Sequence, residues 1–476
     1  MTNAATVRPS VVMFVRNDAA RDVRVRREAT SLVGAGYAVA IVALGAKSGQ
    51  LPSRESFDGV DIIRVVPPSG WRERWSDIRY RPWRARRWVL RAVLGRFRRG
   101  PAGWPGAVVM LGATLAGLPF VAFRGVQYLA SGRTRPRVRE GPDDAWDWFV
   151  RWRFSILGWA ALAAGAAPAA DAYHGHDLNA LPAAVAARDR HSGRLVYDSH
   201  ELFLEAGANA RQPAVARRLI GRLERRWAGG ADAVVTVNDS IARELRSRYA
   251  VGRTVIVRNC PPRWTPPPDA AMLLPAAIGV SSGTPIVLYH GGFLPDRGLD
   301  RLADAVLRRE LAGVHLVFLG FGPGQAGLEA LAASDRAQGR IHVLPAVHPD
   351  ELLGWVSGAD VSAMPNQPVT LNERYSTPNK LFESLAAGTP VVSSDTPERR
   401  AIVLDHPVGR LGAVCDATDP VSIATAIRSL LDLPDDERRN LRERCRRVAD
   451  EELNWETESK KLIELYADLV PTGRRE

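Results

Sequence analysis

STPNKLFESLAAGTPVVSSD, residues 376–395, reads as a helix entered through a proline, stopped by a glycine and followed by a short buried strand. Pro378 suits the first turn of a helix, because it has no N–H to leave unsatisfied and its φ is preset. Asn379 and Lys380 then lie near the helix N-terminus, where free N–H groups and the helix dipole attract phosphate. Glu383 falls one turn on, near the same face. A cation for phosphates and a carboxylate able to accept from a pair of sugar hydroxyls thus stand side by side, which is the chemistry of a nucleotide-sugar site. Of 64 basic residues only Lys47, Lys380, Lys460 and Lys461 are lysine, so a chain that avoids lysine keeps one here. The competing reading is a surface helix with an i, i+3 ion pair. Gly388 ends the helix, and Val391-Val392 opens the strand.

Working outward, the strand at 391–393 closes a series at 286–289, 314–319, 341–344 and 361–364, each an apolar run separated from the next by a helical pattern. An earlier series has strands at 10–16, 38–44, 172–177, 195–198, 233–237 and 254–257, with a helix from about 23 to 36. Alternation of this kind argues for parallel sheets with helices on their faces. Pro261-Pro262 and Pro266-Pro267-Pro268 lie between the two series as a stiff linker. Ligands of such sheets bind beyond the carboxyl ends of the strands. A dinucleotide-binding turn would need Gly-x-Gly-x-x-Gly after the first strand. This chain has Arg16-Asn17-Asp18 there, so the dehydrogenase reading falls.

At those strand ends stand further polar groups. Arg297 follows Gly291-Gly292, whose missing Cβ atoms let backbone approach a ligand, and offers a forked donor for a diphosphate. Its bland reading is an arginine in a turn. Gly320-Phe321-Gly322-Pro323-Gly324 fits neither common phosphate-loop spacing and reads as a tight strand-to-helix turn. His174 and His176, at i and i+2 on a strand, point the same way and could hold a metal, but no third ligand is evident. A strand-end histidine more often just caps backbone groups. The chain has no Asp-x-Asp pair.

The 376–395 segment, together with Arg297 behind its strand and double glycine, resembles the donor-binding signature of family 4 retaining glycosyltransferases. The resemblance spans roughly residues 10–65 and 170–460. It implies an α/β protein of GT-B fold, with two Rossmann-like parallel-sheet domains facing across a cleft and a Trp/Arg-rich insert in the first. The expected units are an acceptor-side domain 1–260 that includes an insert 71–159, a linker 261–283, a nucleotide-sugar domain 284–452, and a helix in 453–476 packing back on the first domain. On the donor side the resemblance implies Gly291, Gly292, Arg297, Val347 (through backbone, near the base), Asn379, Lys380 and Glu383. His176 matches the family histidine that reaches the donor sugar and phosphate, so His176, Arg297 and Lys380 are the expected catalytic groups, with no metal and no cofactor. Asn17, Asp18, Arg24 and Glu201 correspond to the acceptor side. Arg24 could instead solvate a helix face, and Glu201 could be a buried carboxylate bonded to loop N–H groups. The chain departs from the family at one position. Eight residues before Glu383 the family has a glutamate that contacts the sugar, whereas here Tyr375 stands there and Glu373 lies two residues away.

The net charge of +12 suggests an acidic partner. It is concentrated between Trp71 and Arg99, and the stretch from Trp71 to Trp159 also holds nine of the 13 tryptophans. Residues 107–123 carry no charge, but they are short for a membrane span and include Gly112, Gly117 and Pro119. Tryptophan and arginine beside a moderately apolar run fit an anionic membrane surface, as a hairpin lying on it, better than a protein contact or a solvated helical hairpin, and better again than nucleic acid. The three cysteines lack metal spacing, and no signal peptide is expected. The resulting expectation is a cytoplasmic enzyme at the inner face of the membrane. It would move a hexose, with retention, from a UDP- or GDP-linked sugar to a glycan or lipid-linked acceptor. The alternatives are a catalytically impaired scaffold of a polysaccharide assembly complex and a sugar-nucleotide epimerase.

Overall fold

The structure is a computed structural model that describes residues 8–45, 51–67, 93–94 and 152–471. The insert 71–159 lies outside these residues except at 93–94 and 152–159, and the uncharged run 107–123 lies wholly outside them. Among the described residues no helix is long and apolar enough to cross a membrane.

Among the described residues, fourteen strands form two sheets. The first contains β1 (Ser10–Val15), β2 (Ala38–Leu44), β3 (Arg54–Phe57), β4 (Val60–Val65), β5 (Ala172–His176), β6 (Arg194–Ser199), β7 (Ala233–Thr236) and β8 (Thr254–Ile256). Their order is β3-β4-β2-β1-β5-β6-β7-β8, parallel except that β3 runs antiparallel to β4. The second contains β9 (Ile286–Gly292), β10 (His315–Phe321), β11 (Ile341–Leu344), β12 (Val361–Met364), β13 (Val391–Ser394) and β14 (Gly412–Cys415). It is parallel throughout, in the order β11-β10-β9-β12-β13-β14. The central strands β1 and β9 are near-continuous apolar runs because helices cover both faces of a parallel sheet. β3, β4 and β14 were not read from the sequence. β3 is a polar edge strand (RESF) and carries no apolar run.

In each sheet the chain winds first to one side and then to the other. The strand order reverses between β1 and β5 in the first sheet, and between β9 and β12 in the second. A crevice opens beyond the carboxyl ends of the strands at such a reversal. The helices that matter below are α1 (Val23–Gly34), α2 (Gly158–Ala166), α3 (Asp177–His191), α4 (Ala214–Ala228) and α5 (Asp239–Tyr249) on the first sheet. On the second are α6 (Asn379–Ala386), α7 (Pro397–Val403) and α8 (Asp435–Glu451), and the chain then ends in α9 (Trp455–Leu469).

The chain crosses between the sheets twice. The crossings are tied together where Trp455 N–H donates to Pro261 O at 2.9 Å and Arg263 Nε donates to Asp450 O at 2.8 Å. Helix α9 returns to the first sheet, burying Trp455, Leu462, Leu465 and Tyr466 in one cluster with Val11, Met13, Val25 and Leu32. Each aliphatic side chain buried this fully stabilises by roughly 1.5–3 kcal/mol, so α9 is an integral layer of the first domain. Cys260, Cys415 and Cys445 are buried free thiols.

Candidate active site

A cavity of about 690 Å³ opens between the sheets at the two strand-order reversals, lined by Asn17, Asp18, His200 and Glu201 on one side and by Arg297, Glu373 and Asn379 on the other. The loop after β1 is held by its own side chains. Asn17 Oδ1 accepts from Ala19 N–H and Asp18 Oδ1 from Ala20 N–H, both at 2.9 Å. Asp22 caps α1 by accepting from Val25 N–H at 3.2 Å, and it also accepts from Asn17 Nδ2 at 2.7 Å. These turns fix the loop at the cleft mouth. Arg24 sits in the lining by its backbone position, but its guanidinium turns inward. It is 4% exposed and donates bidentately to Asp198 at 3.1 and 2.9 Å. It is therefore neither a free acceptor-side cation nor a solvated surface arginine.

On the opposite wall, Pro378 caps α6 from extended backbone, one residue outside the helix it was expected to begin, and Asn379 and Lys380 open the first turn. Gly388 follows the helix with φ +71°, the left-handed stop that glycine permits. Lys380 Nζ lies 3.5 Å over the Tyr289 ring. At Gly291 (φ +108°) a Cβ would come within 3.4 Å of Lys380 Nζ, so the glycine admits both the backbone turn and the lysine. Burial and the nearby Arg297 charge hold Lys380 well below the ordinary lysine value, with Glu383 opposing them. At Gly320 a Cβ would stand 2.0 Å from Gly291 O, which is why the second glycine-rich turn can lie flush against the first. Gly292 ends β9. Val347 lies past β11 and packs against the cluster that contains Val317 and Leu319.

Glu383 is not free in this arrangement. Its Oε2 lies 3.0 Å from Nε2 of His290, a residue only 1% exposed at the end of β9. Arg297 Nη1 donates to Glu373 Oε2 at 3.2 Å. Glu373 thus reaches the cleft, while Tyr375 packs with Leu371 against the core of the first domain. The segment carrying them is clamped from two directions. From the first domain, Leu202 N–H donates to Asn372 Oδ1 at 2.9 Å and Asn238 Nδ2 to Tyr375 O at 2.7 Å. From α7, fully buried Arg399 donates to Ser376 O at 3.0 Å, Glu373 O at 3.1 Å and Ser376 Oγ at 2.8 Å. Burial pushes Arg399 down to about 10. Sequence reasoning missed Arg399, because nothing marks one arginine in a chain so rich in them.

Behind the first-domain wall lies a buried polar network. The rings of His174 and His176 stack with centroids 4.4 Å apart, as two side chains on one face of a strand should. His174 Nδ1 lies 2.8 Å from Tyr466 Oη on α9, and His176 Nδ1 lies 3.2 Å from Asp198 Oδ2. His176 is 2% exposed, and the histidine lining the cavity is His200, quoted in the sequence only as part of a phrase. His200 Nε2 lies 3.1 Å from Asp198 Oδ2 and its Nδ1 lies 3.3 Å from Asp177 Oδ2. Desolvation lowers His200, but Asp177 and Asp198 outweigh it and push it up to about 9. Burial and then the Asp177 charge raise Glu201 to about 7.

The fold also supplies what the sequence did not show beside the two histidines. Ligand atoms of Glu28, His174, His176 and Asp198 all lie within 4.8 Å of one another. Arg24 already supplies the positive charge there, with Nε 3.0 Å from Glu28 Oε1 and its fork on Asp198. A divalent cation would have to displace that guanidinium from a site where all four groups are at most 2% exposed. The donor set fits an internally neutralised network better than a metal.

Comparison with known proteins agrees with this geometry. The family described as Glycosyltransferase Family 4 matches residues 107–260, and the family described as Glycosyl transferases group 1 matches residues 284–433. The chain is 30% identical over 264 residues to a GDP-mannose-dependent alpha-(1-6)-phosphatidylinositol monomannoside mannosyltransferase of Mycolicibacterium smegmatis, covering 53% of this chain and 65% of that protein. It is 27% identical over 327 residues to a D-inositol 3-phosphate glycosyltransferase of Salinispora tropica, covering 64% of this chain and 65% of that one. Its fold is similar to that of a sucrose-phosphate synthase from Thermosynechococcus elongatus, with TM-score 0.67, 17% identity, and coverage of 98% of this chain and all of that one. A HepE protein of Anabaena in complex with UDP and glucose superposes with TM-score 0.60 and 11% identity over 97% of this chain and all of that one. With two facing sheets and matches in both halves, the chain belongs to the family 4 glycosyltransferases and has their GT-B fold.

Proposed function

We propose that this protein transfers a hexose from a nucleoside diphosphate sugar to a hydroxyl of a lipid-linked or membrane-proximal acceptor, with retention at the anomeric carbon and without a metal. The observation that carries the reading is a pair of cations close enough to act on each other: Arg297, which lines the cleft, and Lys380 in the first turn of α6, whose Nζ lies over the Tyr289 ring beside the Gly291 turn. In the reaction the bond from the anomeric carbon to the diphosphate oxygen breaks, and the acceptor oxygen bonds to the same face of that carbon. The acceptor proton passes to the departing phosphate. Negative charge grows on the diphosphate as it leaves, and fixed cations aimed at that charge lower the barrier. Arg297, Lys380 and the N–H groups of α6 supply them, and His200, protonated at neutral pH, adds a cation on the first-domain side. Glu383, oriented by His290, receives the ribose hydroxyls. Glu373 takes the sugar-facing place that Tyr375 leaves vacant.

A lipid-linked acceptor agrees with the phosphatidylinositol mannoside named for one relative, and an anionic inner membrane surface with the composition of residues 71–159. The scaffold and epimerase alternatives are not favoured by the relatives. Calorimetric titration of UDP, GDP and ADP, with and without a chelator, tests the donor half. One nucleotide binding tightly and equally in both conditions supports the proposal. Absence of binding by all three, or binding abolished by the chelator, overturns it.

A further inference from the structure

We infer that the outer face of α4 docks on an anionic phospholipid surface. Helix α4 reads AVARRLIGRLERRWA. Spacings of three, four and seven place Arg218, Arg222, Arg225 and Arg226 on one face with Val215 and Leu219. All six are exposed, Val215 at 63% and Leu219 at 42%. None of the four guanidinium groups makes a hydrogen bond or ion pair with another described residue. The one carboxylate of the helix, Glu224, points the opposite way into the core, where Tyr197 Oη and Tyr249 Oη donate to it at 2.8 and 2.6 Å. The exposed face is therefore purely cationic with two aliphatic side chains at its N-terminal end, a pattern that suits lipid headgroups with shallow apolar contact beneath them.

The surroundings point the same way. Trp227 of α4 stacks on Trp152 at 6.0 Å between ring centroids, and Trp152 belongs to the tryptophan- and arginine-rich stretch that runs into α2. Through this core-side contact α4 packs against the end of the part of the chain whose composition suits a membrane. An acidic protein or a nucleic acid would satisfy the arginines but leaves Val215 and Leu219 without a role. This inference stands on α4 itself and does not require the transfer reaction.

Co-sedimentation of the full chain with phosphatidylcholine vesicles, with and without phosphatidylglycerol, tests it against the triple variant Arg218→Gln/Arg222→Gln/Arg226→Gln. The wild type should bind the anionic vesicles and lose them as salt rises. The variant should bind roughly fivefold more weakly for each arginine removed, so about a hundredfold in all. Val215→Ser/Leu219→Ser should weaken binding to a lesser degree and leave its salt dependence intact. Unchanged nucleotide binding in both variants shows that they are folded. Vesicle binding that is absent in the wild type, or equal in wild type and triple variant, overturns the inference. So does a loss confined to RNA or DNA binding, which would make nucleic acid the partner of the face.

Discussion

At the scale of single residues, the donor wall is a problem of holding like charges together. Burial makes charging Lys380 costly, and repulsion from Arg297 adds to that cost. A diphosphate relieves both effects. Binding of a nucleoside diphosphate should therefore draw a proton onto Lys380, and affinity should fall as pH rises above the depressed value of the free lysine. Calorimetry in buffers of different ionisation enthalpy measures that uptake; an uptake that persists in Lys380→Ala would assign it elsewhere. Removing one such cation should cost about 3 kcal/mol of transition-state stabilisation. On that basis Lys380→Ala lowers turnover about a hundredfold or more, and near-normal turnover would remove Lys380 from the reaction. Lysine scarcity made this residue legible in the sequence. The same composition hid Arg399, and no local pattern could say that His200 rather than His176 would line the cleft, because that depends on how β5 and β6 set their ends.

At the scale of elements, the segment from Thr370 to Pro378 joins the two domains. It is pinned by Arg399 from behind and by Asn372 and the Tyr375 carbonyl from the front. Its short helix turns Glu373 to the cleft and Tyr375 to the first-domain core. The spacing rule places the family glutamate at 375, and reading by spacing alone left this wall in doubt. Two substitutions separate the roles. Glu373→Gln should lower kcat by about tenfold to a hundredfold, as loss of a group acting at the sugar would. Tyr375→Glu, which restores the family residue, should instead put an unpartnered carboxyl into an apolar contact. It should destabilise the protein by roughly 1–3 kcal/mol without raising kcat. A rise in kcat would mean that position 375 faces the sugar.

Over the whole molecule, stability should depend on pH through carboxyls buried in the first domain. Burial raises Glu224 from the ordinary 4.5 to about 7, although its tyrosine partners pull it down. The native state then keeps a proton that the unfolded chain loses. That stabilisation is complete below about pH 4.5 and is lost as pH rises through about 7. The loss is ~3 kcal/mol at most, from the size of the shift. Thermal unfolding at pH 5 and pH 8 should show a lower Tm at the higher pH, and Glu224→Gln should narrow the gap. An equal gap in the variant would place the titration elsewhere, with Glu201 the next candidate.

The sequence by itself determined the parallel α/β class, most of the strands and the helix that presents Lys380. Each of these is written in local periodicity, in proline and glycine placement, and in one scarce residue type. Only the tertiary structure decided which polar groups meet. The Arg24 fork on Asp198, the His290 contact to Glu383, the Tyr466 contact to His174 and the Arg399 clamp join residues 23 to 292 positions apart. No window of sequence holds both members of most such pairs. Strand order brings them together, and strand order is settled by which apolar faces bury best against one another.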